Sequence, residues 1–177
     1  PDTNAAAARV LDRLGISLVE APGAGCCGAL RFHLNYQADG LDDMRRLIDA
    51  WWPLVEQGAE TIVMTASGCG SSVREYGHHL AHDPRYAEKA ARISALTKDL
   101  SEVLATEADR LVPLMGAGQR PKVAFHPPCT LQHWQPLKGV TEGVLAKLGY
   151  ELAPVPDVHM CCGSAGTYAL FQPELAE

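Results

Sequence analysis

Apolar positions in this chain fall into blocks that alternate between helical and extended spacing. Ala5 to Ala8, Val10, Leu11 and Leu14 form one side of a helix predicted over 4–14, with Asn4 as its cap and Gly15 as its stop. Ile16-Ser17-Leu18-Val19 reads as a short strand, and Ala21-Pro22-Gly23-Ala24-Gly25 as a loop that delivers Cys26 and Cys27. A short helical piece follows Gly28 to about Tyr36. Leu41, Met44, Leu47, Ile48, Trp51, Leu54 and Val55 then recur at helical spacing, with Pro53 expected to kink or restart that helix. Thr61 to Ala66 is the strongest strand pattern. It runs into Ser67-Gly68-Cys69-Gly70, and Ser71 or Ser72 is placed to cap a helix reaching Leu80. A further piece starts at Asp83-Pro84, and Ile93, Leu96, Leu100, Val103 and Leu104 predict one amphipathic helix. After a Pro/Gly-rich linker at 112–121 come a strand at 122–126, the turn Pro127-Pro128-Cys129, a helix over 137–148 and a strand at 150–153. The chain then reaches His159-Met160-Cys161-Cys162-Gly163. Strand and helix in alternation predict an α/β fold with mainly parallel strands.

The pattern repeats. Leu11-x-x-Leu14-Gly15-x-x-Leu18-x-x-x-Pro22 recurs as Leu145-x-x-Leu148-Gly149-x-x-Leu152-x-x-x-Pro156, and Cys26-Cys27-Gly28 recurs as Cys161-Cys162-Gly163. The expected architecture is therefore two pseudo-symmetric Rossmann-like halves, each bearing a Cys-Cys-Gly loop. Residues 1–111 form the first half, 112–121 the linker and 122–177 the second. The repeat also predicts a longer protein. A counterpart of Cys129 is expected a few positions ahead of Pro1, and a counterpart of Cys69 beyond Glu177, one further ligand for each half.

Composition narrows the function. A net charge of −6 disfavours nucleic acid, whose phosphates need a basic face. No apolar run approaches the roughly 18 residues of a membrane span, and no secretory leader is visible. Six cysteines would suffice for three disulfides, but vicinal pairs bond to each other only with strain, so a reducing cytoplasm is the expected setting. All six stand at strand ends, as metal ligands do, rather than where small core hydrophobes would be scattered. Thiolates are soft anionic donors that suit iron-sulfur clusters and zinc alike. The candidate ligands are Cys26, Cys27 and Cys69 in the first half and Cys129, Cys161 and Cys162 in the second. Each pair precedes a predicted helix whose N–H groups favour thiolate.

Other residues carry less. His126, His133 and His159 lie near cysteines but read equally well as loop histidines, and His78, His79 and His82 as a solvated face. Trp51 and Trp52 read as packing residues, and Tyr36 and Tyr168 as covers for the thiols. No GxGxxG, P-loop or acid/base dyad occurs, so the segment is not expected to make or break substrate bonds.

Cys129, the 31 residues after it and Cys161-Cys162 resemble the cysteine-rich CCG domain family. That family occurs in heterodisulfide reductases, in lactate-utilisation and anaerobic glycerol-3-phosphate dehydrogenase subunits, and in glycolate oxidase iron-sulfur subunits. Asn4-Ala5-Ala6, Ile48-Asp49-Ala50-Trp51-Trp52-Pro53, Ala66-Ser67-Gly68-Cys69-Gly70, Pro128-Cys129-Thr130-Leu131-Gln132-His133 and Cys161-Cys162-Gly163-Ser164-Ala165-Gly166-Thr167-Tyr168 resemble the last group, and the likeness runs end to end. The resemblance implies an iron-sulfur electron-transfer subunit of a glycolate dehydrogenase, with a [4Fe-4S] cluster as cofactor. FAD-containing subunits would supply electrons from glycolate, which becomes glyoxylate, and quinone would accept them. The complex would sit in the cytoplasm against the inner face of the membrane. Such subunits also carry a ferredoxin-like part with two further cluster motifs that this sequence lacks, so it matches a C-terminal portion. One departure stands out. The heterodisulfide reductase pattern ends in Cys-x-x-Cys, whereas this chain has Cys69-Gly70-Ser71-Ser72, which disfavours direct catalysis at the cluster. A zinc-binding module that docks the flavoprotein remains the alternative.

Overall fold

A computed structural model describes residues 2–160 and 171–176. Helix α1 (Asp2–Arg13) leads by an unpaired stretch to α2 (Ala29–His33) and α3 (Gln37–Glu56). Strand β1 (Ile62–Met64) is followed by α4 (Ser67–Arg74), α5 (Tyr76–His79), α6 (Ala87–Leu96), β2 (Thr97–Asp99) and α7 (Leu100–Leu111). A 3₁₀ turn (Val112–Leu114) precedes β3 (Val123–Ala124), a π-helical turn (Thr130–Trp134), α8 (Val140–Lys147), β4 (Leu152–Ala153) and α9 (Pro173–Ala176). The strands form two parallel pairs. Ile62, Val63 and Met64 face Thr97, Lys98 and Asp99, and Val123 and Ala124 face Leu152 and Ala153. The fold is mixed α/β with short parallel strands, as the alternating pattern predicts.

The main core joins the first Cys-Cys-Gly loop to α3, α4, α5 and α6. Cys27, Met44, Leu47, Ile48, Val73, Tyr76, Leu80, Tyr86, Ala90 and Ile93 pack into one buried cluster. Leu11, Leu14 and Leu111 form a second cluster, with Leu148 against it, where α1, α7 and the end of α8 meet. Burial of a large apolar side chain of this kind contributes about 1.5–3 kcal/mol.

Several expectations are corrected. Ile16–Val19 joins no ladder among the described residues. Leu18 and Val19 are exposed, and the segment instead walls a cleft of about 730 Å³ whose far side includes Thr61–Val63 and Arg110. The apolar run from Ile93 to Leu104 is two helices, not one. Thr97–Asp99 breaks it as β2, because the open edge of β1 offers backbone partners that a continued helix would not satisfy. Asn4 lies inside α1 rather than capping it, and its Oδ1 accepts a 2.7 Å hydrogen bond from the Thr65 hydroxyl. Pro53 neither restarts nor splits α3; the helix continues through it to Glu56.

The β2–α7 junction carries a full capping box. Asp99 accepts from Ser101 N at 2.9 Å, and Glu102 Oε2 accepts from Asp99 N at 2.8 Å while also pairing with Arg74 of α4. Replacing Asp99 by alanine strips the cap from one helix and is expected to cost about 1 kcal/mol, read as a lower thermal midpoint. A variant as stable as the parent would show that β2 holds this turn without its cap.

Candidate metal centre

The first Cys-Cys-Gly loop turns sharply at Gly28. Its φ of +83° lies in the left-handed region, and a Cβ there would come within 2.4 Å of the Gly40 carbonyl oxygen on α3. Only glycine fits both demands. The turn leaves Cys26 exposed and Cys27 6% exposed inside the main core. Cys69 does not lie in a loop before a capped helix, as the pattern suggests. It occupies the first turn of α4, which starts at Ser67, while Ser71 and Ser72 are buried within the helix. The Ser71 hydroxyl donates back to Gly68 O at 2.9 Å, a local bond that serines make inside helices.

Packing α4 beside the loop brings Cys69 against the core cluster that holds Cys27, so that the two thiols act on each other's titration. The Cys27 S–H donates, so Cys69 takes thiolate character and its pKa is drawn from 9.0 to about 7, against the opposing pull of burial and the nearby Cys26 thiol. The same bond and burial push Cys27 strongly upward. One proton is in effect shared between two sulfurs, which is how a thiolate is kept ready for a soft metal. In the metal-free protein, alkylation of Cys69 is therefore expected to rise with pH around a midpoint near 7, because the reactive thiolate forms as pH climbs through that value. Peptide mass spectrometry of iodoacetamide-treated protein reads this directly; a Cys69 midpoint near the ordinary 9.0 would contradict it.

Tyr76 is the residue that sequence reasoning missed here. Fully buried, it donates its hydroxyl to Cys27 O at 2.7 Å and so holds the loop backbone onto the core. Burial and the neighbouring thiols raise its pKa, which keeps it a neutral donor. Its sequence context, a tyrosine just after a helix of small residues, carries no such signal. Tyr36 is 64% exposed at the start of α3. Asp43 stands behind Gly28, buried and paired with the guanidiniums of Arg31 and Arg46. His79 is not on a solvated face. Its ring lies 4.5 Å from that of Phe32 in α2, and burial lowers its pKa.

Cys129 is exposed and opens the π-helical turn Thr130–Trp134. That turn rests on α4: Thr130 Oγ1 donates to Ser67 Oγ at 2.7 Å, and Gln135 Nε2 donates to Ser67 O at 2.8 Å. A largely apolar cavity of about 310 Å³ lies beside this contact, walled by Met64, Ser67, Leu104, Phe125, Pro128 and Leu131. His126, His133 and His159 are exposed. Cys161, Cys162 and Tyr168 lie outside the described residues. Among the described residues, no group of three His, Cys, Asp or Glu side chains is placed to hold a metal ion. The structure thus brings Cys27 and Cys69 into contact with Cys26 alongside, and sets the Cys129 turn against the helix that carries Cys69. The soft donors and the shared proton fit a thiolate-bound iron centre or zinc.

Comparison with known proteins extends this picture. The model of the CCG cysteine-rich domain family matches residues 1–74 and 123–177, which contain all six cysteines. The glycolate oxidase iron-sulfur subunit of Escherichia coli K12 is 57% identical over 176 residues, which are 99% of this chain and 42% of that protein. Lactate utilization protein A of Bacillus licheniformis is 30% identical over 97% of this chain and 70% of its own length, and that of Bacillus subtilis 28% over the same shares. The chain thus spans less than half of the E. coli protein.

Proposed function

Because the chain belongs to the CCG family of cysteine-rich domains, we propose that it is the cluster-bearing part of an iron-sulfur electron-transfer subunit in a glycolate-oxidising complex. The observation that carries this reading is the packing of Cys69 against the core cluster that holds Cys27, in a chain 57% identical to a glycolate oxidase iron-sulfur subunit. Cys26, Cys27 and Cys69 would serve one centre and Cys129, Cys161 and Cys162 a second, in two halves spanning 1–111 and 122–177. The cluster type that fits is [4Fe-4S]. Bound there, it would supply a one-electron relay. The chain's own residues do the rest. Gly28 turns the loop, Tyr76 pins the Cys27 backbone, and the core around Met44 and Ile48 keeps water from the inner thiol. Burial and hydrogen bonds to sulfur are the levers by which these residues would set the potential.

FAD-containing partner subunits would deliver electrons from glycolate, and quinone would receive them at the inner face of the cytoplasmic membrane. The chain would reach that surface through its complex, since no helix among the described residues is long and apolar enough to cross a membrane. Direct catalysis of the heterodisulfide reductase kind is disfavoured by Ser72, a buried hydroxyl where a second thiol would be needed. A structural zinc site is the second reading, favoured by the same soft donors. Cys161→Ser in the assembled complex separates the two. The redox reading expects assembly to survive and quinone reduction to fall to background. Unchanged quinone reduction would exclude Cys161 from the relay, and loss of assembly together with zinc would favour the structural site.

A further inference from the structure

Gln132 is 8% exposed inside the π-helical turn that follows Cys129. Its amide nitrogen donates twice, to Pro127 O and to Val158 O, each at 2.8 Å. The first bond closes the turn around Cys129, two residues after Pro127. The second ties that turn to a segment 26 positions further along the chain. A buried amide that satisfies two carbonyls from separate segments is a clamp, because losing it orphans both acceptors. The π-helical turn is itself a rare conformation that favours functional positions, and Thr130 and Gln135 seat it on the start of the Cys69 helix. Cys129 itself is exposed, between the buried Pro127 and the buried Leu131.

We propose that Gln132 is a positioning residue for Cys129, holding the thiol at a fixed height above the start of α4. The proposal rests on the reading of Cys129 as a cluster ligand. Two variants test it: Gln132→Leu removes the amide, and Gln132→Glu keeps the shape but replaces the donor by an acceptor. Leu111→Ala, in the remote second cluster, serves as a control for general destabilisation. In the anaerobically purified protein both Gln132 variants are expected to lose the cluster or to change its EPR spectrum and midpoint potential. The control should keep the parental spectrum at a lower melting temperature. In the metal-free protein, amide exchange followed by mass spectrometry should quicken in peptides covering 126–132 and 156–160 for both Gln132 variants and not for the control. Parental EPR and potential in both variants would overturn the positioning role, and so would unchanged exchange in those peptides. If the parent protein holds no iron, the cluster reading fails by itself and the exchange arm still decides whether the clamp exists.

Discussion

Gly28→Ala is expected to lower the stability of the metal-free protein by roughly 2–5 kcal/mol. The left-handed backbone costs a residue with a Cβ about 1–2 kcal/mol. The new methyl would also sit 2.4 Å from the Gly40 carbonyl oxygen, which belongs to the backbone of α3 and has no rotamer to turn away. Relieving that contact means moving the loop off the helix, an overpacking cost of about 1–3 kcal/mol. For a chain of this size the sum is a fall in melting temperature of roughly 4–20 °C. Gly25, three residues earlier, has no atom within 4 Å of where its Cβ would be. Gly25→Ala should therefore stay within about 0.5 kcal/mol of the parent. Calorimetry of the pair decides the matter, and equal melting temperatures would mean that the loop does not press on α3.

Cys69→Ala is expected to leave a folded protein and to lose the iron and sulfide of the first centre, that of Cys26, Cys27 and Cys69. The side chain is small and half-buried, so its removal should cost the fold only about 1 kcal/mol. The same change removes the thiolate that the Cys27 S–H stabilises and leaves that donor without its acceptor. Losing an outer-shell partner typically weakens metal binding about 10–100-fold, and losing a ligand should exceed that. Iron per protein after anaerobic reconstitution, set beside the far-ultraviolet dichroism of the same sample, separates the two effects. Parental iron content in Cys69→Ala would remove this residue from the site.

Much of the local order is legible in the residues, because amphipathic spacing is a local property. The helix around Met44, Leu47 and Ile48 and the β1 segment around Val63 follow from spacing and β-branching alone. Strand pairing is not local, and there the reading departs from the structure. Ile16–Val19 has the composition of a strand but joins no ladder among the described residues, and Ile16 N donates instead to Leu11 O at the end of α1. Thr97–Asp99 sits inside a helical apolar spacing, yet β1 recruits it. The cysteine positions are visible because vicinal thiols flanked by glycine are rare. How they are supported is not, since Tyr76 reaches Cys27 across 49 positions and Gln132 reaches Val158 across 26. Such long-range bonds leave no spacing in the sequence. Tyr36, which follows the first Cys-Cys-Gly loop, is exposed, and the distant tyrosine does the holding.

Whether these cysteines hold an iron-sulfur centre is tested by counting iron, zinc and acid-labile sulfide in the anaerobically purified intact subunit, with EPR after reduction. The expected result is iron and sulfide in about equal numbers, as a [4Fe-4S] cluster requires, and a paramagnetic signal on reduction. Zinc alone, with no sulfide and no signal, would contradict it.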